Sequence, residues 1–338
     1  MNILWIPKLV AKAVINTTWF PLGLRERLPV NRLGDSAYPR NTLTGHLAHY
    51  RDFLRWRSKS GAELFRINIM EVGPGYTPAA AFINYWLGGG RTCLMDIGDF
   101  LNWTMGEITE LADLVRMLCR EVWLKPPVLY RGEDRLLKTA GEVSSFWPRL
   151  INRESLVAGM EERIGETLEY GSVAAGLEGI GTKILIRGLS SYPEIADDSL
   201  DFCFSTGVLQ FIKKGEVEPT IREIFRVLRP GGITSHFISL NDHLVDSLNH
   251  LTVPDRLWES MLIYRAHTYL NRNLAGDWQK IFIRTGFEEL LVTTFCWEKL
   301  PVIRLLLRSE FRRRSEDELL IKEMGVVYRK PERKYSVN

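Results

Sequence analysis

Short apolar runs that alternate with segments of helical spacing dominate the pattern of this 338-residue chain. Five of them are FRINIMEV (65–72), TCLMDIGDF (92–100), TKILIRGL (182–189), LDFCFSTGV (200–208) and GITSHFISL (232–240). Two more, FEELLVTTF and EMGVVYRKP, follow towards the carboxyl terminus. Buried runs of this length with helices between them are typical of a parallel sheet covered on both faces. The pattern therefore predicts a doubly wound, mostly parallel α/β sheet of seven strands.

Two of the intervening segments have clear helical spacing. In VEPTIREIFRVLRPGG (217–232), apolar residues recur on one face, at Ile221, Ile224, Phe225 and Leu228. Pro230 and the two glycines after it are expected to end this helix and turn the chain into the next strand. AGDWQKIFIRTGF (275–287) has similar spacing and ends near a glycine. Each segment is therefore predicted to be a helix.

Two connections are too long for ordinary crossovers. Residues 101–181 separate the second and third strands by 81 residues, although about a dozen suffice for a crossover with its helix. This segment is predicted to be a helical insertion that caps the carboxyl edge of the sheet, and residues 241–272 form a second insertion. Open α/β sheets bind their ligands at that edge. Residues 1–60 are predicted to be an N-terminal helical extension, and residues 61–338 one domain that contains both insertions.

Composition and charge restrict the class of protein only loosely. The chain has 45% hydrophobic and 25% charged residues, which is ordinary for a soluble globular protein. The net charge is +3, but residues 1–66 carry eleven Lys and Arg against four Asp and Glu. Residues 299–338 carry eleven against six, so the middle of the chain is acidic. The basic ends of the chain can bind an anionic partner, or their charged side chains can simply be solvated on the surface.

The cysteines and the N-terminus bear on location. Four cysteines without C-x-x-C spacing are typical of reduced thiols in a cytosolic protein, and they argue against a zinc site. The apolar start MNILWIPKLVAKAVINTTWFPLG is interrupted by Pro7, Lys8 and Lys12, so it is too broken for a transmembrane helix. It can lie on a membrane surface or pack on its own domain. The expectation is a cytoplasmic protein, with peripheral contact to the inner face of a membrane through the N-terminus as an alternative.

The stretch MEVGPGYTP (70–78) places two glycines between a predicted strand and a predicted helix. A dinucleotide-binding turn has a third glycine, but Pro78 stands there and removes a backbone donor. Glu71 adds negative charge where a phosphate would bind. A ligand with positive charge and no phosphate suits Glu71, Gly73 and Gly75 better than NAD does. S-adenosylmethionine (SAM), with its sulfonium and ammonium groups, is such a ligand.

An acidic residue follows the second predicted strand at the spacing that a nucleoside site requires. Asp96 lies 25 positions after Glu71, and a carboxylate there can accept hydrogen bonds from both ribose hydroxyls. The fourth predicted strand ends in a polar break at Ser205 and Thr206. These residues are expected to border the same site.

At this point the chain resembles a class I SAM-dependent methyltransferase of the methyltransferase type 11 kind. The matching motifs are MEVGPG, CLMDIG, DDSLDFCFSTGVLQFI, EIFRVLRPGG and WQKIFIRTGFEE, over about residues 65–100 and 182–295. The resemblance implies a Rossmann-like sheet and SAM as cofactor. The residues expected to bind it are Glu71, Gly73, Gly75, Asp96, Ile97, Ser190, Ser205 and Thr206.

A narrower resemblance and three departures concern the acceptor. GGITSHFISLNDH and NHLTVPDRLWESMLIYRAHTYLNRN resemble a bacterial subfamily with an SHxIDLxDH signature, some members of which accompany polysaccharide-building enzymes. Ser239 replaces the usual Asp of that signature, and Phe211 replaces a histidine common in the wider family. The usual acid after the third strand is absent from Leu189–Ser191. These differences bear on adenine contacts and on the handling of the acceptor.

Methyl transfer to a hydroxyl needs an aligned acceptor and a base. Candidates must lie past the carboxyl ends of the fourth and fifth strands, where Asp242 and His243 follow Leu240. Tyr269, in the second insertion, is a third candidate. His243 is predicted to be the base; the alternative is that it packs or caps the insertion.

The predicted function is SAM-dependent methyl transfer to a small-molecule or glycan acceptor, on a hydroxyl. A nucleic-acid methyltransferase is one alternative, but STGV follows the fourth strand where an N/D-P-P-Y/F segment would stand. A non-catalytic SAM-binding scaffold protein is the other. No metal is expected.

Overall fold

A computed structural model of the chain describes residues 5, 7–9, 11, 39–57, 66–124, 134–146, 153–260, 263–264 and 268–332. The strands are β1 (Ile69–Val72), β2 (Thr92–Met95), β3 (Lys183–Leu185), β4 (Leu200–Thr206), β5 (Leu228–Ser239), β6 (Glu288–Cys296) and β7 (Ile321–Arg329). The α-helices described here are α1 (Pro39–Trp56), α2 (Ala79–Trp86), α3 (Met105–Leu118), α4 (Arg135–Ser145), α5 (Arg153–Glu169), α6 (Val173–Gly179), α7 (Val217–Val227), α8 (Asp255–Trp258), α9 (Ala275–Thr285), α10 (Ser309–Arg312) and α11 (Glu316–Leu320).

The seven strands form one sheet in the order β3-β2-β1-β4-β5-β7-β6. The first five are parallel to their neighbours, and β7 is antiparallel to both β5 and β6. This confirms the predicted seven-stranded, mostly parallel, Rossmann-like sheet. The order reverses between β1 and β4, and such a switch point opens a crevice at the carboxyl ends of the strands.

The two faces of the sheet carry separate hydrophobic cores. One core contains α1 to α6 and the side chains of Phe202 and Phe204, and the other contains α7, α9 and Cys203. Neighbouring residues of β4 alternate between the faces because successive side chains of a strand point to opposite sides. Both faces of the central strands are therefore buried, as their continuous apolar sequence predicts.

Helix α1 is an integral part of the first core, although it falls within the predicted N-terminal extension. Its residues Leu43, Leu47, Tyr50 and Phe53 are buried, and the Phe53 ring centroid lies 4.9 Å from that of Phe202. The apolar positions recur every three or four residues, so one side of the helix faces the sheet. Helix α1 thus covers β4 and β5 as a conventional layer helix does.

The described part of the N-terminal segment packs on the protein itself. Trp5 and Leu9 are buried, and the Trp5 ring stacks on Trp258 at a centroid distance of 6.4 Å. Both belong to a cluster with Tyr269 and Leu270. Packing on the protein's own domain, one of the two alternatives, accounts for the apolar sequence at these positions. Residues 1–4, 6, 10 and 12–38 lie outside the described part. Among the described residues, no helix has the length and apolar content needed to cross a bilayer.

The described helices of the predicted insertion at 101–181 cover one face of the sheet; residues 125–133 and 147–152 lie outside the described part, and the cap over the carboxyl edge stays a prediction. The described helices α3 to α6 pack with α1 and α2 in the core on one face. The apolar side chains of these helices, such as Ile108, Leu111 and Val115 of α3, are buried against that layer. At the carboxyl edge, the Asn102 N–H donates to the carbonyl oxygen of Tyr76 at 3.0 Å. The described helices thus thicken one layer of the fold, and the start of α4, at Arg135 and Leu136, lines a cavity described below.

The helix that was expected to end at Pro230 ends slightly earlier, at Val227. Helix α7 ends at Val227, and β5 begins at Leu228, which pairs with Leu200 of β4. The register then shifts before Phe202 pairs with Ile233, so Pro230 and its two glycines form an irregularity at the start of the strand. Pairing of Leu228 with β4 thus sets the boundary between α7 and β5. The helix predicted over 275–287 is α9, and it ends at Gly286 with φ of 106°.

We expect Leu47→Ala to lower the free energy of unfolding by about 2–5 kcal/mol, because it empties space in a fully buried position of α1. Urea denaturation measures this change. Ile283→Ala, at a position of α9 that is 55% exposed, is the matched control and should cost under about 1 kcal/mol. Equal effects of the two substitutions would show that α1 does not belong to the core.

Candidate cofactor and acceptor site

The turn after β1 is built on two glycines with a left-handed backbone. Gly73 has a φ of 72° and Gly75 a φ of 59°, a region that residues with side chains rarely adopt. A Cβ on Gly73 would lie 2.4 Å from Cγ2 of Val208, so the turn touches the loop after β4. A Cβ on Gly75 would meet nothing within 4 Å. The predicted glycine turn therefore lies between the ends of β1 and β4, with open space beside its second glycine.

Asp96, directly after β2, is held against this turn. The Gly75 N–H donates to Oδ2 of Asp96 at 3.1 Å, and the Ile97 N–H donates to Oδ1 at 2.7 Å. Burial raises the pKa of Asp96, and Glu71 raises it further, whereas the two backbone donors lower it; the net shift is upwards. A carboxylate oxygen can accept more than one hydrogen bond. Asp96 can therefore bind ribose hydroxyls while it stays bonded to the turn.

Ile97 and the loop after β3 form the wall beside Asp96. The Ile97 side chain is 79% exposed, and a Cβ on Gly188 would lie 3.1 Å from its Cγ2. The Gly188 N–H donates to the carbonyl oxygen of Asp96 at 2.8 Å. Ser190 is exposed in the same 3₁₀ turn, Gly188–Glu194. An exposed apolar side chain next to the carboxylate that is predicted to bind the ribose suits the flat face of a purine.

Glu71 is bound inside the protein rather than open to a ligand. Its carboxylate oxygens lie 3.2 and 3.3 Å from Nε2 of His46, and both side chains are buried. Nδ1 of His46 lies 2.7 Å from the carbonyl oxygen of Thr42. Because a carbonyl and a carboxylate only accept hydrogen bonds, both ring nitrogens must donate, and His46 is an imidazolium. Burial lowers the pKa of His46, but Glu71 and Thr42 raise it above 6.5 overall.

Ser205 and Thr206, both predicted to bind the cofactor, point to opposite faces of the sheet. Ser205 is fully buried, and its Oγ lies 2.7 Å from Nδ1 of His236. The other ring nitrogen of His236 lies 2.6 Å from Oγ1 of Thr234, and burial lowers the pKa of His236 to about 3. A cofactor contact through the Ser205 side chain would break this buried chain of hydrogen bonds. Thr206 is exposed at the end of β4.

Thr206 is bonded to a histidine that the sequence analysis did not select. Nε2 of His49 lies 3.0 Å from Oγ1 of Thr206, and Nδ1 lies 2.8 Å from Oγ of Ser235. Burial, together with His46, His236 and Arg51, lowers the pKa of His49 well below 6.5, so the ring is neutral. The signal in the sequence is the spacing of His46 and His49, which places two histidines on one face of a helix.

Two cavities meet at Thr206. One, of about 420 Å³, lies at the carboxyl ends of β4 and β5, and the other, of about 1110 Å³, lies between α1 and strands β5 to β7. Thr206, Phe237 and Glu323 line both, so the cavities adjoin; we call them together the trough. Gly207 lines the smaller cavity, and the next residue, Val208, lies against Gly73, so the smaller cavity and the glycine turn adjoin the same loop.

Two of the three predicted catalytic residues line the smaller cavity. His243 is exposed, and its ring centroid lies 5.3 Å from that of Phe211. Asp242 is buried, and its Oδ1 accepts the N–H groups of Leu244 and Val245 at 3.2 and 3.0 Å. Burial raises the pKa of Asp242. Asp242 thus shapes the turn that carries His243.

Tyr269 lies in a hydrophobic cluster behind the loop after β4. Its hydroxyl accepts the Lys214 N–H at 2.9 Å and donates to Oε1 of Glu259 at 3.3 Å. Its ring stacks on Tyr264 at 4.6 Å, and burial raises its pKa. Neighbouring Asn271 donates to the carbonyl oxygen of Leu209 at 2.8 Å. These contacts fix the second insertion to the site, and a catalytic role for Tyr269 stays a prediction.

The arrangement fits a nucleoside that carries no phosphate. Asp96 suits the ribose and Ile97 the base, while the open space beside Gly75 leaves room for the rest of the ligand. Helix α2 begins after Pro78, which has no N–H to offer a phosphate. The residues present therefore fit SAM, and the fold and site define a Rossmann-like methyltransferase.

Comparison with known proteins agrees with this class. Residues 172–235 match the model of a family described as a methyltransferase domain. No curated protein sequence matched the chain. Together with the strand order and the glycine turn, this match over about a fifth of the chain supports a SAM-dependent methyltransferase.

Many solved structures are distantly similar in shape. An S-adenosylmethionine-dependent methyltransferase from Mesorhizobium loti has 13% identity and a TM-score of 0.40, over 85% of this chain and 99% of that one. A SAM-dependent methyltransferase from Methanosarcina mazei has 12% identity and a TM-score of 0.39, over 79% and 94%. Phosphoethanolamine N-methyltransferase 2 from Haemonchus contortus has 14% identity and a TM-score of 0.39, over 87% and 58%. At these TM-scores, the acceptors of these proteins carry no information about this chain.

We expect Asp96→Asn to weaken SAM binding strongly, because hydrogen bonds from ribose hydroxyls to a charged acceptor contribute roughly 1.5–3 kcal/mol each. Titration calorimetry with SAM measures the change. The control is Asp99→Asn, which alters an exposed carboxylate three residues further on and should leave the affinity unchanged. Unchanged affinity in Asp96→Asn would remove this residue from the cofactor site.

We expect the stability contributed by His46 to depend on pH. The folded-state pKa is raised above 6.5, so the contribution is complete below pH 6.5 and is lost as the pH rises through the folded-state value. The difference in unfolding free energy between wild type and His46→Gln should therefore shrink as the pH is raised above 6.5. His236→Gln is the opposite control: the pKa of His236 is lowered, so its contribution falls as the pH drops below 6.5. A His46→Gln difference that is constant with pH would contradict the imidazolium assignment.

Proposed function

We propose that the protein transfers the methyl group of SAM to a hydroxyl of a small-molecule or glycan acceptor that binds in the trough. The observation that carries the proposal is the position of Thr206. It lines both cavities, and Val208, two residues later, touches the glycine turn. An acceptor in the trough therefore reaches the end of β4, next to the cofactor turn.

The residues around the turn have separate tasks in this reaction. The turn at Gly73 and Gly75 and the carboxylate of Asp96 hold the cofactor, and Thr206 borders the acceptor. SAM supplies an electrophilic methyl group on a sulfonium. As the acceptor oxygen bonds to the methyl carbon, the carbon–sulfur bond breaks and its electron pair stays on sulfur. The hydroxyl proton passes to His243, and alignment of the reacting atoms provides much of the rate.

The lining of the larger cavity supports a glycan or a similarly amphipathic small molecule. Its floor contains Phe237 and Phe295, with ring centroids 6.5 Å apart, beside Leu291 and Val326. Polar groups line its other sides, among them Asn41, Thr44, Asp52 and Thr293. A sugar presents C–H faces to apolar rings and hydroxyls to polar groups, so both parts of this lining have a partner in a glycan. The volume of about 1110 Å³ exceeds that of most drug-sized sites.

The charges in the larger cavity argue against a nucleic-acid acceptor. Of the three arginines that line it, Arg40 is paired with Asp134, and Arg51 with Asp52 and Glu142, which leaves Arg135. A protein binds a phosphate backbone with many cations, which displace the counterions condensed on the nucleic acid. One arginine without a paired carboxylate among the described residues is few for a nucleic-acid groove.

We expect His243→Ala to lower kcat by about 10²–10⁴-fold with unchanged SAM affinity, because it removes the proton acceptor but not the cofactor site. The measurement is transfer of labelled methyl from SAM to a panel of glycans, sugar nucleotides and hydroxylated small molecules, with affinity followed by calorimetry.

His49→Gln tests the other histidine at the trough in the same assay. Near-normal turnover of His243→Ala would exclude it as the base. Loss of turnover in His49→Gln would then reassign the base to His49 only if SAM affinity and the free energy of unfolding stay unchanged. SAM binding without methyl transfer to any member of the panel would favour the scaffold alternative. Methylation of RNA or DNA instead would overturn the acceptor class.

A further inference from the structure

The segment after β6 holds three large apolar side chains out in solvent. Ile303, Leu305 and Leu306 are 60%, 76% and 45% exposed, whereas their neighbours Val302 and Leu307 are buried. The two buried residues belong to a cluster with Leu248 and Leu251. The segment is thus anchored at both ends while the residues between project outwards. We call Ile303, Leu305 and Leu306 the apolar tip.

This exposure is fixed by hydrogen bonds rather than left to a loose loop. The guanidinium of Arg304, in the same 3₁₀ turn, donates to the carbonyl oxygens of Arg312 and Arg314, the latter at 2.5 Å. The Arg308 N–H donates to the carbonyl oxygen of Leu251 at 3.1 Å. With both sides of the turn tied down, the tip cannot fold back onto the protein without breaking these bonds.

Helix α8 extends the apolar surface on one side. Arg256 and Arg308 line one shallow depression together with Lys214, so α8 lies beside the segment that carries the tip. Leu257, next to Arg256, is 50% exposed. Large exposed apolar side chains that cluster on one surface mark an interaction site, whereas single ones do not.

Basic side chains surround this apolar surface. They are Lys214, Arg256, Arg308, Arg312 and Arg313, and all are exposed. Within the described ranges, no ion pair is recorded for any of the five. Asp255, the acid next to Arg256, is itself paired with Arg272, and Glu310 is the acid between Arg308 and Arg312. The surface therefore combines projecting apolar groups with cations free to meet anions.

We infer that this surface docks the protein onto an anionic lipid bilayer, independently of the proposed reaction. The apolar tip would enter the boundary between headgroups and acyl chains, and the five basic residues would lie on lipid phosphates. Burial of apolar side chains and attraction of basic residues to anionic lipid are the two contributions that drive interfacial binding. A short turn whose side chains project this far fits insertion into a soft interface better than it fits a flat protein surface. The contact is distinct from the predicted one through the N-terminus, where Trp5 and Leu9 are buried.

Sedimentation of the full chain with vesicles tests the inference. The vesicles are pure phosphatidylcholine, or phosphatidylcholine with 30% phosphatidylglycerol, chosen as neutral and anionic probes. We expect binding to the anionic vesicles, at least about tenfold weaker binding to the neutral ones, and loss of binding in high salt. No binding to anionic vesicles, or equal binding to both kinds, overturns the inference, and the first result directs the search to a protein partner.

Two double variants separate the apolar and the charged contributions. Ile303→Ser with Leu305→Ser should weaken binding to anionic vesicles about tenfold or more, because two buried apolar side chains are lost. Arg312→Ser with Arg313→Ser should weaken it by about fivefold per charge. Ile184→Ser with Ile186→Ser is the matched control, since both residues are exposed, at or next to β3 on the opposite edge of the sheet. Binding by the tip variant at the wild-type level, with an unchanged circular dichroism spectrum, overturns the inference.

Discussion

The position of α1 depends on a set of buried hydrogen bonds to the sheet, and much of the site depends on α1. His46 is paired with Glu71 of β1, and His49 is bonded to Thr206 of β4 and Ser235 of β5. Loss of the partner of a buried polar group lowers the free energy of unfolding far more than the loosening of an apolar contact does. These bonds therefore hold α1 in one register, which the apolar contacts alone would specify less sharply.

This register shapes the site in two ways. Helix α1 forms one wall of the larger cavity. It packs over β4 and leaves the neighbouring faces of β6 and β7 uncovered, and the space between them is the cavity. Helix α1 also packs against α3 and α4, two of the described helices of the long insertion. The strand before the glycine turn, the trough and these two helices thus share one support. A change at His46 or His49 should affect cofactor binding and the shape of the trough together.

Features that depend on neighbouring residues alone could be predicted from the sequence. The seven strands, the glycine turn at Gly73 and Gly75, and Asp96 at the end of β2 all lie where the motifs place them. Each is specified by an apolar period, by backbone geometry that only glycine tolerates, or by a strand end. For the same reason the motifs identified the class of enzyme and its cofactor before any tertiary contact was known.

What the tertiary structure alone decided is which groups face each other. Ser205 and Thr206 are adjacent and both polar, and alternation requires that only one of them face the α1 side; contact with His49 or His236 decides which. The described helices of the insertion bury their apolar side chains on one face of the sheet, a position that their helical spacing alone does not specify. Nothing in the sequence pairs His46 with Glu71, since they come from separate elements. Local periodicity specifies an element and its apolar side, but the partner of a buried polar group is set by long-range packing.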